Sequence, residues 1–121
     1  MEEIVMRKAF ICPTKYVQGE DEILNLGYFV KTFGDSALLI AHPDDVKRVQ
    51  EKLKSTAETF NIRFVESEFC GECSRREVSR LQELAKESNC TCTIGLGGGK
   101  AIDTAKCVAE GENLIIVPTI A

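Results

Sequence analysis

The apolar positions along the chain change their period several times, and each change marks an element. Ile4 to Cys12 (IVMRKAFIC) reads as an extended segment, and Pro13 to Gly19 (PTKYVQG) as a loop. From Glu20 to Phe33, Ile23, Leu26, Val30 and Phe33 recur at helical spacing, with Gly34 as a natural stop. Ala37 to Ala41 (ALLIA) is short and wholly apolar, the mark of a strand covered on both faces. Pro43 suits the first turn of a second helix, and Asp44 and Asp45 suit the positive end of its dipole. Val46, Val49, Leu53, Ala57 and Phe60 form its buried stripe.

Ile62 to Phe69 (IRFVESEF) reads as a strand. Ser74 and Glu77 then form an S-x-x-E capping box, opening a helix with Val78, Leu81, Leu84 and Ala85 on one face. Thr91 to Leu96 (TCTIGL) is the next strand. A glycine run follows, then a helix over Ala101 to Ala109 and a last strand over Leu114 to Val117. Strands and helices alternating at short spacing predict βαβ units: one α/β domain with an open parallel sheet and helices on both faces.

Composition narrows the class. The chain has 121 residues, enough for one domain with a real core. Its net charge is −4 and it has no basic cluster, which argues against a nucleic-acid partner, since neutralising phosphates needs grouped Lys and Arg. No apolar run approaches the ~20 residues that cross a bilayer. The start, MEEIVMRKAF, is too charged for a signal peptide, so a cytoplasmic location with reduced thiols is expected.

The candidate chemistry lies in GLGGGKAIDTAK, residues 95 to 106. Gly97, Gly98 and Gly99 sit between a predicted strand and a predicted helix, where open α/β sheets bind ligands. A helix start offers unpaired N–H groups and a positive dipole end, and Lys100 adds a full charge, so the expected guest is a phosphate or pyrophosphate. Two standard fingerprints do not match. G-x-G-x-x-G needs glycine where Lys100 stands, and the P-loop needs glycine and Ser or Thr where Ile94 and Ala101 stand. A plain packing turn with positive φ angles is the bland alternative, but three consecutive glycines exceed what one such turn needs. Asp103 has its own bland reading. An acid in a helix's first turn stabilises the dipole by ~0.3–1 kcal/mol without any ligand.

IGLGGGKAIDTAK resembles the cofactor loop of glycerol dehydrogenases, within the iron-containing alcohol dehydrogenase and dehydroquinate synthase-like group. PTKYVQG (13–19), FCGECSRREV (69–78) and VPTIA (117–121) resemble further segments of that family, in the same order. The resemblance implies a Rossmann-like domain that holds NAD. Gly97, Gly98, Gly99 and Lys100 would cradle the pyrophosphate, with Asp103 and Thr119 close to the cofactor. The family usually has a ribose-reading acid where this chain has His42, so Asp44 or Asp45 is expected to take that part; a surface histidine at a helix start is the bland reading of His42.

The resemblance also implies oxidation of glycerol to dihydroxyacetone by the complete enzyme, with zinc polarising the alcohol. The family takes its zinc ligands, an Asp and two His, from a helical C-terminal domain. With His42 as the one histidine, that site cannot be assembled from this sequence. The expectation is therefore a fragment or truncated product that binds NAD weakly, does not turn over glycerol alone, and self-associates through exposed apolar surface as a homo-oligomer. A glycerol-1-phosphate dehydrogenase or dehydroquinate synthase-like fragment is the related alternative, and a non-catalytic nucleotide-binding module the unrelated one.

Cys70 and Cys73 have the C-x-x-C spacing of redox and zinc sites, and Cys90 and Cys92 lie beyond the next helix. One zinc cannot join both pairs, because a helix over 74–89 would hold its ends roughly 24 Å apart. A thiol-redox module on Cys70 and Cys73 is a distant alternative to structural thiols.

Overall fold

The structure is a computed structural model that describes residues 14–118, except Cys70 and Glu72 and the side chains of Glu20 and Glu68. Among these residues five strands form one sheet: β1 (Thr14–Tyr16), β2 (Ser36–Ala41), β3 (Arg63–Glu68), β4 (Cys92–Gly97) and β5 (Leu114–Pro118). Their order across the sheet is β1-β5-β4-β2-β3, and every neighbouring pair is parallel. Four α-helices connect them: α1 (Leu26–Phe33), α2 (Pro43–Phe60), α3 (Arg75–Glu87) and α4 (Gly99–Ala109).

The apolar runs explain the layers. Every residue of β2 is buried, and its side chains alternate between two cores. Ala37, Leu39 and Ala41 join Leu26 and Val30 of α1 and Val49 and Leu53 of α2 on one face. Leu38 and Ile40 join Leu81 of α3 and Ala101, Ala105 and Val108 of α4 on the other. The sheet is thus doubly wound, as the alternating pattern predicts.

Most strand ends shift by one residue from the sequence reading, and three elements differ more. Residues 14–16, expected in a loop, pair with β5 as an edge strand. The expected helix from Glu20 begins as a 3₁₀ turn over Glu20–Asn25 and becomes α-helical at Leu26. The last helix starts at Gly99, two residues earlier than expected. The extended segment expected at 4–12 lies outside the described residues.

The capping box at Ser74 forms in one direction. Ser74 Oγ accepts from the Glu77 amide at 3.1 Å, while the buried Glu77 carboxylate accepts from Arg80 Nε at 2.7 Å.

Candidate functional site

β2 and β4 are neighbours, with Ala41 opposite Leu96. From β2 the chain passes to α2 on one face, and from β4 it passes to α4 on the other. The two connections therefore part at the carboxyl ends of the strands and leave a crevice between Ala41–Pro43 and Gly97–Gly99. This is the topological switch point, the usual ligand position of a doubly wound sheet.

The three glycines are not equivalent there. Gly97 ends β4 with φ +130°, a conformation that side-chain-bearing residues rarely adopt, and an added Cβ would lie 2.8 Å from Asp45 Oδ2. The chain's own fold thus calls for glycine at 97. It makes no such demand at 98 and 99. Gly98 has φ −87° and Gly99 is the first helical residue, and a Cβ at either would meet nothing within 4 Å. Both side-chain positions face open space.

The amides around that space lack a side-chain cap. α2 is capped by His42 and α3 by Ser74, whereas the start of α4 has neither a side-chain cap nor an acidic residue in its first turn. The first intrahelical bond runs from Ile102 N to Gly98 O at 3.1 Å, so the preceding amides have no partner within the helix. Lys100 is exposed beside them. A glycine cradle, amides with no partner within the helix, a helix dipole and a lysine together suit a pyrophosphate. The residues present therefore fit the phosphate portion of a dinucleotide.

Asp103 is exposed on the second turn, because α4 begins at Gly99. The dipole account of Asp103, which needs a first-turn acid, loses its force. Thr119 lies outside the described residues.

His42 is occupied locally. Its Nδ1 accepts from the Asp44 amide at 3.1 Å. Asp44 Oδ2 is 3.5 Å from the same Nδ1, and its side chain is 89% exposed. Asp45 is the acid at the crevice: its side chain is 23% exposed, lies against Gly97, and pairs with Arg48 at 3.2 Å.

Sequence reasoning missed Gly95. A Cβ there would stand 2.6 Å from Ala105 Cβ, so this glycine lets α4 lie close on β4 and sets the angle at which the helix start meets the crevice. The signal was present in the spacing, since Gly95 and Ala105 are both small residues on facing elements.

A hollow of about 280 Å³ lies at the opposite end of the strands, lined by Lys86, Cys90, Cys92, Glu110 and Asn113 among others. It sits at the amino ends of β4 and β5, away from the helix starts. Burial pushes the Cys92 thiol up to about 12, with Cys90 adding to the shift, and burial also raises Cys90 against the opposing effect of Arg63. These are inert thiols, and the hollow offers little chemistry. Among the described residues, no group of three or more His, Cys, Asp or Glu is placed to hold a metal ion, so they do not fit the zinc that the resemblance implies. No helix among them is long and apolar enough to cross a membrane.

A doubly wound sheet with a glycine-rich helix start at its switch point is an architecture that many nucleotide-binding α/β proteins share. The family model of the iron-containing alcohol dehydrogenases matches residues 13–121, and the chain belongs to that family. It is 36% identical over 118 residues to a glycerol dehydrogenase of Citrobacter freundii, covering 96% of this chain and 32% of that protein. A crystal structure of a probable glycerol dehydrogenase from Sinorhizobium meliloti superposes with a TM-score of 0.73 at 33% identity, over 89% of this chain and 29% of that one. A glycerol-1-phosphate dehydrogenase of Sulfurisphaera tokodaii is 31% identical over 111 residues, covering 88% of this chain and 31% of that protein. The chain thus spans about a third of the length of the relatives it matches.

Proposed function

We propose that this chain is the NAD-binding domain of a glycerol dehydrogenase. The observation that carries the reading is the open space at Gly98 and Gly99: glycines that the fold does not require, at an uncapped helix start. The amides there donate to the pyrophosphate oxygens, and Lys100 neutralises their charge. Gly97 lets the backbone turn sharply enough to present them. Asp103, one turn further along α4, lines the same approach, and the family resemblance adds Thr119 to the cofactor's partners.

Asp45 is the acid that accepts from the adenosine ribose, with Arg48 fixing its carboxylate. Its charge disfavours a 2′-phosphate, so NAD is preferred over NADP. His42 shapes the same subsite by holding the first turn of α2 in place. Bound NAD supplies the hydride acceptor for the alcohol carbon of glycerol.

The higher identity to glycerol dehydrogenase than to glycerol-1-phosphate dehydrogenase supports glycerol as the substrate of the complete enzyme. Exposed Tyr16, Leu24 and Tyr28 support self-association of the chain. The location is cytoplasmic on this reading.

Titration of the chain with NAD and NADP, followed by calorimetry and amide NMR shifts, tests the proposal. Saturable NAD binding that perturbs residues 97–103, with weaker NADP binding, is expected. Binding of neither cofactor overturns it. The chain alone is expected to form no NADH from glycerol.

A further inference from the structure

Two sulfur atoms from distant parts of the chain meet beside α3. Cys73 Sγ lies 4.0 Å from Cys107 Sγ, although 34 residues separate them in sequence. Cys73 is exposed, in the irregular segment that leads into the N-cap Ser74, and Cys107 is half-buried on α4. We propose that Cys73 and Cys107 form a reversible disulfide site, closed by exchange with a small-molecule disulfide of the glutathione class.

The exchange takes two steps. The Cys73 thiolate attacks one sulfur of the small disulfide, whose S–S bond breaks; one small thiolate leaves and takes up the proton that Cys73 lost. The Cys107 thiolate then attacks Cys73 Sγ, the mixed bond breaks, and the second small thiol leaves with the proton from Cys107. Two protein thiols are oxidised and one small disulfide is reduced to two thiols.

The geometry favours this pair over the other described cysteines. A disulfide needs its sulfurs ~2.05 Å apart, so the two atoms must close by roughly 2 Å. Cys73 stands on irregular backbone just before α3, close to Gly71 at φ +90°, whereas Cys107 is held within α4. Cys90 and Cys92 lie past the far end of α3, about 20 Å away along the helix. Burial keeps both of those thiols protonated. The bond would join the start of α3 to the helix whose first residues form the glycine turn.

Incubation of the whole chain with excess oxidised glutathione, acid trapping with an alkylating agent, and peptide mass mapping test the proposal. The expected product is an intramolecular Cys73–Cys107 link, two hydrogens lighter than the dithiol. It should be reopened by a thiol reductant and lost in both Cys73→Ser and Cys107→Ser. The map of the unsubstituted chain decides the matter even where a variant fails to fold. A persistent glutathione adduct on Cys73, a link from Cys73 to any other cysteine or to a second chain, or unreacted thiols throughout would overturn it.

Discussion

Asp45, in the first turn of α2, stands directly against Gly97, the last residue of β4; a Cβ at position 97 would lie 2.8 Å from Asp45 Oδ2. The contact joins the two connections that part at the switch point. It gives Gly97 a structural duty that Gly98 and Gly99 do not share, and the difference can be measured.

Gly97→Ala should destabilise the fold by about 2–3 kcal/mol, because φ +130° strains any side chain and the new methyl meets Asp45. Gly98→Ala, at φ −87° with open space around it, should change stability by no more than ~1 kcal/mol. The same Gly98→Ala change should weaken NAD binding tenfold or more, about 1.4 kcal/mol, by filling the cradle. Urea melts and NAD titrations on both variants separate the two effects. A Gly98→Ala chain that binds NAD normally would remove the cradle from the account.

Cofactor choice should follow the acid at the crevice. Asp45→Asn is expected to weaken NAD binding several-fold and to narrow the gap to NADP, since it removes the charge that repels a 2′-phosphate. Loss of the exposed Arg48 pair should contribute little to stability, about 0.5 kcal/mol at most. His42→Asp keeps a good N-cap and adds a second carboxylate, so it should widen the preference for NAD. The ratio of the two dissociation constants is the measurement, and a ratio indifferent to Asp45 would assign ribose reading elsewhere.

Gly95→Ala should act through packing. Its methyl would stand 2.6 Å from Ala105 Cβ, and α4 must lift from β4 to admit it. The expected cost is about 1–3 kcal/mol, as for other overpacked cores. The same shift moves the helix start, so NAD affinity should fall as well. Pairing it with Ala105→Gly should restore both properties, which a general unfolding defect would not allow.

Stability should fall in alkali because of Cys92. Burial, with Cys90 beside it, pushes this thiol from an ordinary value of 9.0 to about 12 in the folded chain. The unfolded chain loses the proton first, so it binds fewer protons than the native state between those values. Stability is then complete below about pH 9 and declines as pH rises towards about pH 12. Between about pH 8 and pH 10 the loss should be on the order of 1 kcal/mol. Cys90 shifts in the same direction and adds to the slope. Melts of the chain and of Cys92→Ala across this range check the prediction, which expects a shallower decline in the variant.

Most elements were legible from periodicity alone. ALLIA had to be a covered strand, because no face of it carries a polar side chain for water. The stripes of α2 and α3 were equally clear, and so was the capping serine. The edge strand at 14–16 was not legible: it is three residues long, Lys15 and Tyr16 stay exposed, and its pairing partner is about a hundred residues away in sequence, on β5. Nothing local marks such a strand. The 3₁₀ start of the first helix escaped for a related reason, since Ile23 and Leu26 serve either winding.

The site divides in the same way. That the glycines, Lys100 and Asp103 follow a strand and belong to the start of a helix was readable from order and residue type. Which glycine the fold itself requires, which acid reaches the crevice, and which thiols meet were decided by the sheet order. Placing β2 beside β4 brings Asp45 to Gly97, and packing α3 against α4 brings Cys73 to Cys107. Local sequence determines period, caps and turn chemistry, because these depend on neighbours along the chain. Contacts between residues more than thirty apart depend on how whole elements pack, and only the tertiary structure resolves them.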